Sequence, residues 1–171
     1  GYLVTSDETK NVALHCLDIA NENNIKKIIT LSDPNVVNFF KDNMMELINK
    51  KFDIIFCNKQ EAYNLSSSNN INDSLKFLNK FSDEIIITSG SDGAYVYNDS
   101  SLTHVTSDNV TPVDLTGAGD MFLAAYLLSK NKNKTTSESI GFANKCSGRI
   151  IQTYGAKFDD VSEYKSLYSE L

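Results

Sequence analysis

The 171-residue sequence is poor in the side chains that build metal and disulfide sites. Its three cysteines, Cys16, Cys57 and Cys146, lie far apart with no CxxC pair, and its only histidines are His15 and His104. Structural zinc needs about four Cys or His ligands at close spacing, so that class is excluded. An odd, scattered set of thiols reads as free cysteines in a reducing cytosol. Cys57 ends an apolar run and reads as a core residue. No apolar run approaches the ~20 residues of a membrane span. The longest runs, Ile54-Ile55-Phe56-Cys57 and Ile85-Ile86-Ile87, have strand length. Positive charge is also short. The net charge is -6, the pI is near 4.9, and the lysines are scattered, which argues against a nucleic-acid partner. No internal repeat and no signal peptide is visible. The chain begins at Gly1 and runs straight into Tyr2-Leu3-Val4, which reads as a strand already under way and so as the start of a fragment, of a processed chain or of an incompletely traced one.

What is present is an alternating pattern. A 41% hydrophobic fraction over 171 residues suffices for one packed domain, residues 1–171. Strands are predicted at 2–4, 27–31, 53–57 and 84–88. Helices are predicted at 8–23, 35–49, 58–65 and 71–81. Ser6 or Asp7 should cap the first helix, whose apolar positions are Val12, Leu14, Leu17, Ile19 and Ala20. Ser32-Asp33-Pro34 should turn the chain into the second. The rhythm then changes. Residues 93–97 and 102–106 alternate around Asn98-Asp99-Ser100, a hairpin signal. Helices follow at 116–130, 135–152 and 159–170. The first of these is apolar on nearly every side and is expected to be buried. Strand–helix alternation implies an α/β fold with a mainly parallel sheet between helical layers. Ligands of such sheets gather at the carboxyl ends of the strands.

One segment carries chemistry: Asp114-Leu115-Thr116-Gly117-Ala118-Gly119-Asp120, leading into an apolar helix. A helix N-terminus offers unpaired N–H groups and partial positive charge. Gly117 and Gly119 let an anion come close to the backbone. Gly117, Ala118 and Gly119 therefore form a candidate phosphate cradle. Asp120, one turn in, is placed to take the proton of an attacking hydroxyl. The plain alternative is a glycine turn with Asp120 as a capping carboxylate. Asp114 either binds a cation or braces the loop.

The DLTGAGD segment resembles the DTxGAGD signature of the ribokinase-like (PfkB) carbohydrate kinase family, with Leu115 in place of the usual Thr. Asn58-Lys59-Gln60-Glu61 matches its NxxE motif. Taken alone, Asn58 and Glu61 read equally well as a helix N-cap and its partner. Thr88-Ser89-Gly90-Ser91-Asp92-Gly93 is similar to the family loop that borders the nucleotide. Gly1-Tyr2-Leu3-Val4, Leu31-Ser32-Asp33-Pro34 and the string from Phe52 to Asn58 look like the adenosine kinase branch.

The resemblance implies a three-layer α/β/α fold of ribokinase type with a small β-hairpin. It implies ATP and Mg²⁺ as cofactors, arranged through Asn58 and Glu61. Thr88, Gly90, Gly93 and Asn144 would meet the nucleotide. A monovalent-cation (K⁺) site would draw on Asp114, Thr116, Ile150, Thr153 and Gly155. The implied reaction is phosphorylation of adenosine at its 5′-hydroxyl in the cytoplasm. Ribose or fructose kinases are the near alternatives, and a nucleotide-binding module without turnover the distant one. A dinucleotide-binding fold is disfavoured, because no GxGxxG follows the first strand. The family's lid strands, its GxGN-like start and its diglycine hinge, with most of the acceptor pocket, are absent from these residues. The missing N-terminal half is thus an expected partner, beside a small nucleoside or sugar acceptor.

Overall fold

The computed structural model describes residues 1–171. The fold is α/β. Its five strands are β1 (Ile28–Thr30), β2 (Phe52–Asn58), β3 (Ser82–Thr88), β4 (Ala94–Asn98) and β5 (Ser101–Val105), ordered β1-β2-β3-β4-β5 in one sheet. The chain falls into two compact units: Gly1–Ile87 with Tyr97–Leu102, and Thr88–Val96 with Thr103–Leu171.

In the first unit, β1 pairs parallel to β2, with Ile28 opposite Ile54 and Thr30 opposite Phe56. Helices fill the connections, as a parallel pair requires: α1 (Asp7–Glu22), α2 (Pro34–Phe39), α3 (Lys41–Ile48), α4 (Lys59–Ser66) and α5 (Ile71–Leu78). Continuous apolar strands are buried on both faces. Ile55, Phe56 and Cys57 of β2 and Ile85, Ile86 and Ile87 of β3 are all in the core, and each buried Ile or Phe side chain contributes about 1.5–3 kcal/mol. Caps set the helix starts. The Ser6 hydroxyl accepts from the Thr9 N–H, and the Asp33 carboxylate from Asn35 and Val36, with Pro34 at the first helical position.

Three expectations for this unit are corrected. Residues 2–4 are not a strand. Tyr2–Thr5 is a 3-10 turn in which the Val4 N–H donates to the Gly1 carbonyl, and only Val4 is buried. The helix expected at 35–49 is two, broken at Phe40 (φ -121, ψ 33). In α1 the buried positions are Ala13 and Leu17, while Val12 and Ile19 face out.

In the second unit, α6 (Ala118–Asn131) and α7 (Thr136–Ile150) pack together, followed by α8 (Val161–Tyr168). α6 is not buried on nearly every side. Phe122, Ala125, Tyr126 and Ser129 form one buried stripe, and Ala124 is exposed. β4 leads to β5 through Asp99 and Ser100, both at positive φ (48 and 61), which gives a two-residue turn whose twist suits a hairpin. Cys57 and Cys146 are buried free thiols and Cys16 is exposed. No helix is long and apolar enough to cross a membrane.

Candidate active site

In the second unit, Asp114 staples the loop ahead of α6. Its Oδ1 accepts from the N–H (2.9 Å) and hydroxyl (2.7 Å) of Thr116, and its Oδ2 from the Gly155 N–H (2.9 Å). These donors, led by the Thr116 amide, hold the carboxyl below the usual carboxylate range. Of the two tasks open to Asp114, bracing is the one its geometry displays. Gly117 sits at φ +82, and a Cβ there would lie 2.7 Å from Ala156 Cα. Both the left-handed backbone and the seating of the 155–156 loop demand glycine.

Helix α6 starts at Ala118 with no side-chain cap. The Ala118 N–H reaches the Leu115 carbonyl at 3.3 Å, a long bond, and the Ser147 hydroxyl of α7 pins the Ala118 carbonyl at 3.0 Å. The first turn of α6 is thus uncapped, and the positive end of a helix is a setting that favours an anion. Ala118 and Gly119 line a cavity of about 400 Å³. Asp120 lines an apolar groove with Met121, Ala124 and Leu128. Successive helical residues point about 100° apart, so the cradle and the carboxylate face neighbouring sectors of one helix end.

The same cavity brings in Thr88, Gly90, Gly93 and Asn144, with Val110, Pro112, Phe122 and Ile151 as an apolar wall. Its size and mixed lining suit a small ligand with a flat ring. Gly90 (φ +58) has nothing within 4 Å of where a Cβ would stand, so its backbone is open to an approaching ligand. Gly93 is glycine for another reason: a Cβ there would meet the Val105 carbonyl oxygen at 2.0 Å. Asn144 is 8% exposed. Its Nδ2 donates to the Val105 (2.9 Å) and Thr106 (3.3 Å) carbonyls, bracing the end of β5 against α7.

Around the expected cation ligands, Asp114, Thr116 and Gly155 are joined by the bonds above. Ile150 is not free in the same way, because its carbonyl accepts from both the N–H (3.1 Å) and the hydroxyl (2.9 Å) of Thr153.

In the first unit, Asn58 and Glu61 form a complete capping box at the start of α4. The Asn58 side chain accepts from the Glu61 N–H at 2.9 Å, and the Glu61 carboxylate accepts from the Asn58 N–H at 3.0 Å and from Asn58 Nδ2 at 2.6 Å. Glu61 is buried. Burial pushes its carboxyl pKa up, the Asn58 amide opposes this, and the Asp33 charge raises it further. Glu61 and Asn58 offer oxygen donors of the kind a hydrated Mg²⁺ takes, and such an ion would offset the Glu61 charge.

Sequence reasoning missed Asp33 beside Glu61, and it missed His104 and Ser107, which hold the 89–93 loop. The His104 Nε2–H donates to the Asp92 carbonyl at 2.7 Å, and the Ser107 hydroxyl faces the Gly90 (3.2 Å) and Ser91 (3.0 Å) carbonyls. The hairpin pattern hid both, and only the polar residues closing its second strand hinted at a tether.

Residues 1–163 match the model of the pfkB family of carbohydrate kinases. Ribokinase of Staphylococcus aureus (strain COL) is 30% identical over 137 residues, which is 76% of this chain and 44% of that protein. Adenosine kinase from Sinorhizobium meliloti superimposes with a TM-score of 0.87 at 23% identity, over 98% of this chain and 52% of that one. A structure from E. coli in complex with ATP and Mg²⁺ gives 0.83 at 19% identity, over 98% and 56%. The chain thus spans about half the length of such relatives. Its family match, together with the DLTGAGD loop stapled by Asp114 and opening on an uncapped helix, places it in the pfkB family of carbohydrate kinases.

Proposed function

We propose that the chain is the nucleotide-binding and catalytic part of an ATP-dependent phosphotransferase whose acceptor is the 5′-hydroxyl of adenosine. The observation that carries the reading is the glycine-led, uncapped start of α6 opening on a cavity of about 400 Å³ beside Gly90. The apolar wall takes the base, and the first-turn N–H groups of α6 take the phosphates. Asp120 accepts the proton of the 5′-hydroxyl. That oxygen bonds to the γ-phosphorus, the bond from the γ-phosphorus to the β–γ bridging oxygen breaks, and ADP leaves with AMP as product. Little covalent chemistry falls to the protein, since positioning and charge stabilisation supply most of the rate. Asn58 and Glu61 of the first unit are the residues that would hold Mg²⁺, an ion whose chemistry is to neutralise phosphate charge. The proposed K⁺ site draws on Asp114, Thr116, Ile150, Thr153 and Gly155, of which Asp114, Thr116 and Gly155 are joined by hydrogen bonds. The acceptor pocket is assigned to the other half of such a kinase, and the setting to cytoplasmic purine salvage.

The strings around Gly1, Leu31 and Phe52 favour adenosine. The 30% identity to a ribokinase keeps ribose as a second reading. Initial rates with adenosine, ribose and fructose at fixed ATP decide between them in the intact polypeptide. Turnover of adenosine supports the first reading and turnover of ribose the second. ATP binding with no acceptor used leaves a nucleotide-binding module.

A further inference from the structure

We infer that Ser107 and His104, which contribute no motif of their own, are positioning residues that set the shape of the 89–93 loop for the nucleotide; this rests on the nucleotide reading of the cavity. The loop is a single 3-10 turn, Gly90–Asp92, which starts on one glycine at positive φ and ends against another, Gly93. Its internal backbone bonds are few: the Ser89 N–H to the Gly93 carbonyl, the Asp92 N–H to the Ser89 carbonyl and the Gly93 N–H to the Gly90 carbonyl, beside one exposed side-chain bond from the Ser89 hydroxyl to the Asp92 carboxylate at 3.3 Å. A turn so short, with Gly90 in open space, has little of its own to fix its peptide planes.

The end of β5 supplies what is missing. The Ser107 hydroxyl is shared between the Gly90 and Ser91 carbonyls at 3.2 and 3.0 Å. His104 Nε2 meets the Asp92 carbonyl at 2.7 Å, so that nitrogen carries a proton, and its ring stacks on Tyr95 at 4.1 Å between centroids. Three consecutive carbonyls are therefore held from one side. A peptide unit is planar, so fixing the Gly90 carbonyl also fixes the direction of the Ser91 N–H, on a residue that lines the cavity. Gly93 packs its backbone directly on residues 105–107, and Asn144 ties that strand end to α7. The loop is thus referenced to α7, whose Ser147 also holds the first turn of α6. One strut sets both walls of the cavity.

His104 is exposed and the Ser107 bonds are surface bonds, so a purely structural role predicts a small change in stability and none in ligand affinity. A positioning role predicts the reverse.

The test uses the intact polypeptide with ATP as probe, comparing wild type, Ser107→Ala, Ser107→Thr and His104→Phe. Phenylalanine keeps a ring to stack on Tyr95 and loses the donor. Expected results are a rise of about 3–10-fold in the Kd and KM for ATP for Ser107→Ala and for His104→Phe, in line with the loss of one modest hydrogen bond. The kcat at saturating ATP should stay within about 2-fold, the melting temperature should be unchanged, and Ser107→Thr should recover affinity. Wild-type affinity in Ser107→Ala and His104→Phe overturns the inference and leaves the nucleotide reading intact. Lost affinity with a lowered melting temperature and no recovery in Ser107→Thr also overturns it, as a folding effect. Absence of ATP binding by the wild type removes the nucleotide reading and this inference with it.

Discussion

Single residues of this chain divide by what their neighbours allow. Asp120 stands on the first turn of an uncapped helix, at an exposed position, with no structural bond to explain a carboxylate there. Asp120→Asn keeps its size and removes the base. Turnover should fall by about 10²–10⁴-fold, with ATP affinity within about 2-fold of wild type. Steady-state rates and calorimetric titration of the same preparation check both halves, and an unchanged kcat ends the claim. The glycines offer a second contrast. Gly90 and Gly93 look alike in sequence, yet a Cβ on Gly90 meets nothing within 4 Å while one on Gly93 strikes a backbone oxygen. Gly90→Ala should cost about 1–2 kcal/mol from its left-handed backbone alone. Gly93 combines φ 86 with ψ -137, a region for glycine only, and Gly93→Ala should cost more than ~3 kcal/mol. Urea unfolding of the two variants should show that order, and equal losses would mean that the 105–107 backbone yields.

At the scale of elements, local chemistry was legible and long-range contact was not. Asn58-Lys59-Gln60-Glu61 announces a capping box because both partners lie within one turn, and the box is complete. The DLTGAGD turn announces a helix start for the same reason. Phe40 gives no such notice. No glycine or proline marks the break between α2 and α3, so the sequence reads as one helix. Tyr2-Leu3-Val4 is a short apolar run that reads as a strand but closes a turn on Gly1, since three residues of pattern cannot outvote one hydrogen bond. In α1 the apolar positions are spread around the helix, so periodicity could not choose the buried face. The staple from Asp114 to Gly155 spans 41 residues and was half legible, as a choice between bracing and cation binding. It carries a pH dependence. The folded carboxyl is held below its ordinary 3.8, so the ionised form is favoured by folding. The staple contributes fully above 3.8 and is lost as pH falls through the lower folded value. Hydrogen-exchange protection of the Gly155 amide should fall over that acid window. In Asp114→Asn it should be weak at every pH, and protection that ignores both changes would show that Gly155 is held by something else.

At the scale of the whole molecule, each unit leaves apolar surface facing water. In the second, Met121, Ala124 and Leu128 of α6 line a groove with Phe142, Leu167 and Tyr168, with a volume of about 540 Å³. In the first, Val12 and Phe39 are 61% and 80% exposed, and β1 stands at the sheet edge with Ile28 39% exposed. Monomeric proteins rarely leave a large contiguous apolar surface bare, and an open strand edge invites pairing. A helix like α6, apolar well beyond its buried stripe, is the pattern of an element covered on a second side. The relatives are about twice as long as this chain, so the cover most consistent with its sequence is the other half of a pfkB-type polypeptide. The 171-residue chain alone should then bind the dye ANS strongly and aggregate with rising concentration. Co-expression with the matching N-terminal half should quench the dye signal and raise the melting temperature. Leu128→Ser should lower ANS binding by the isolated chain and weaken its association with that half. Weak dye binding by a soluble, monomeric 171-residue chain would instead mean that the groove is an ordinary surface, and that this chain stands without a cover.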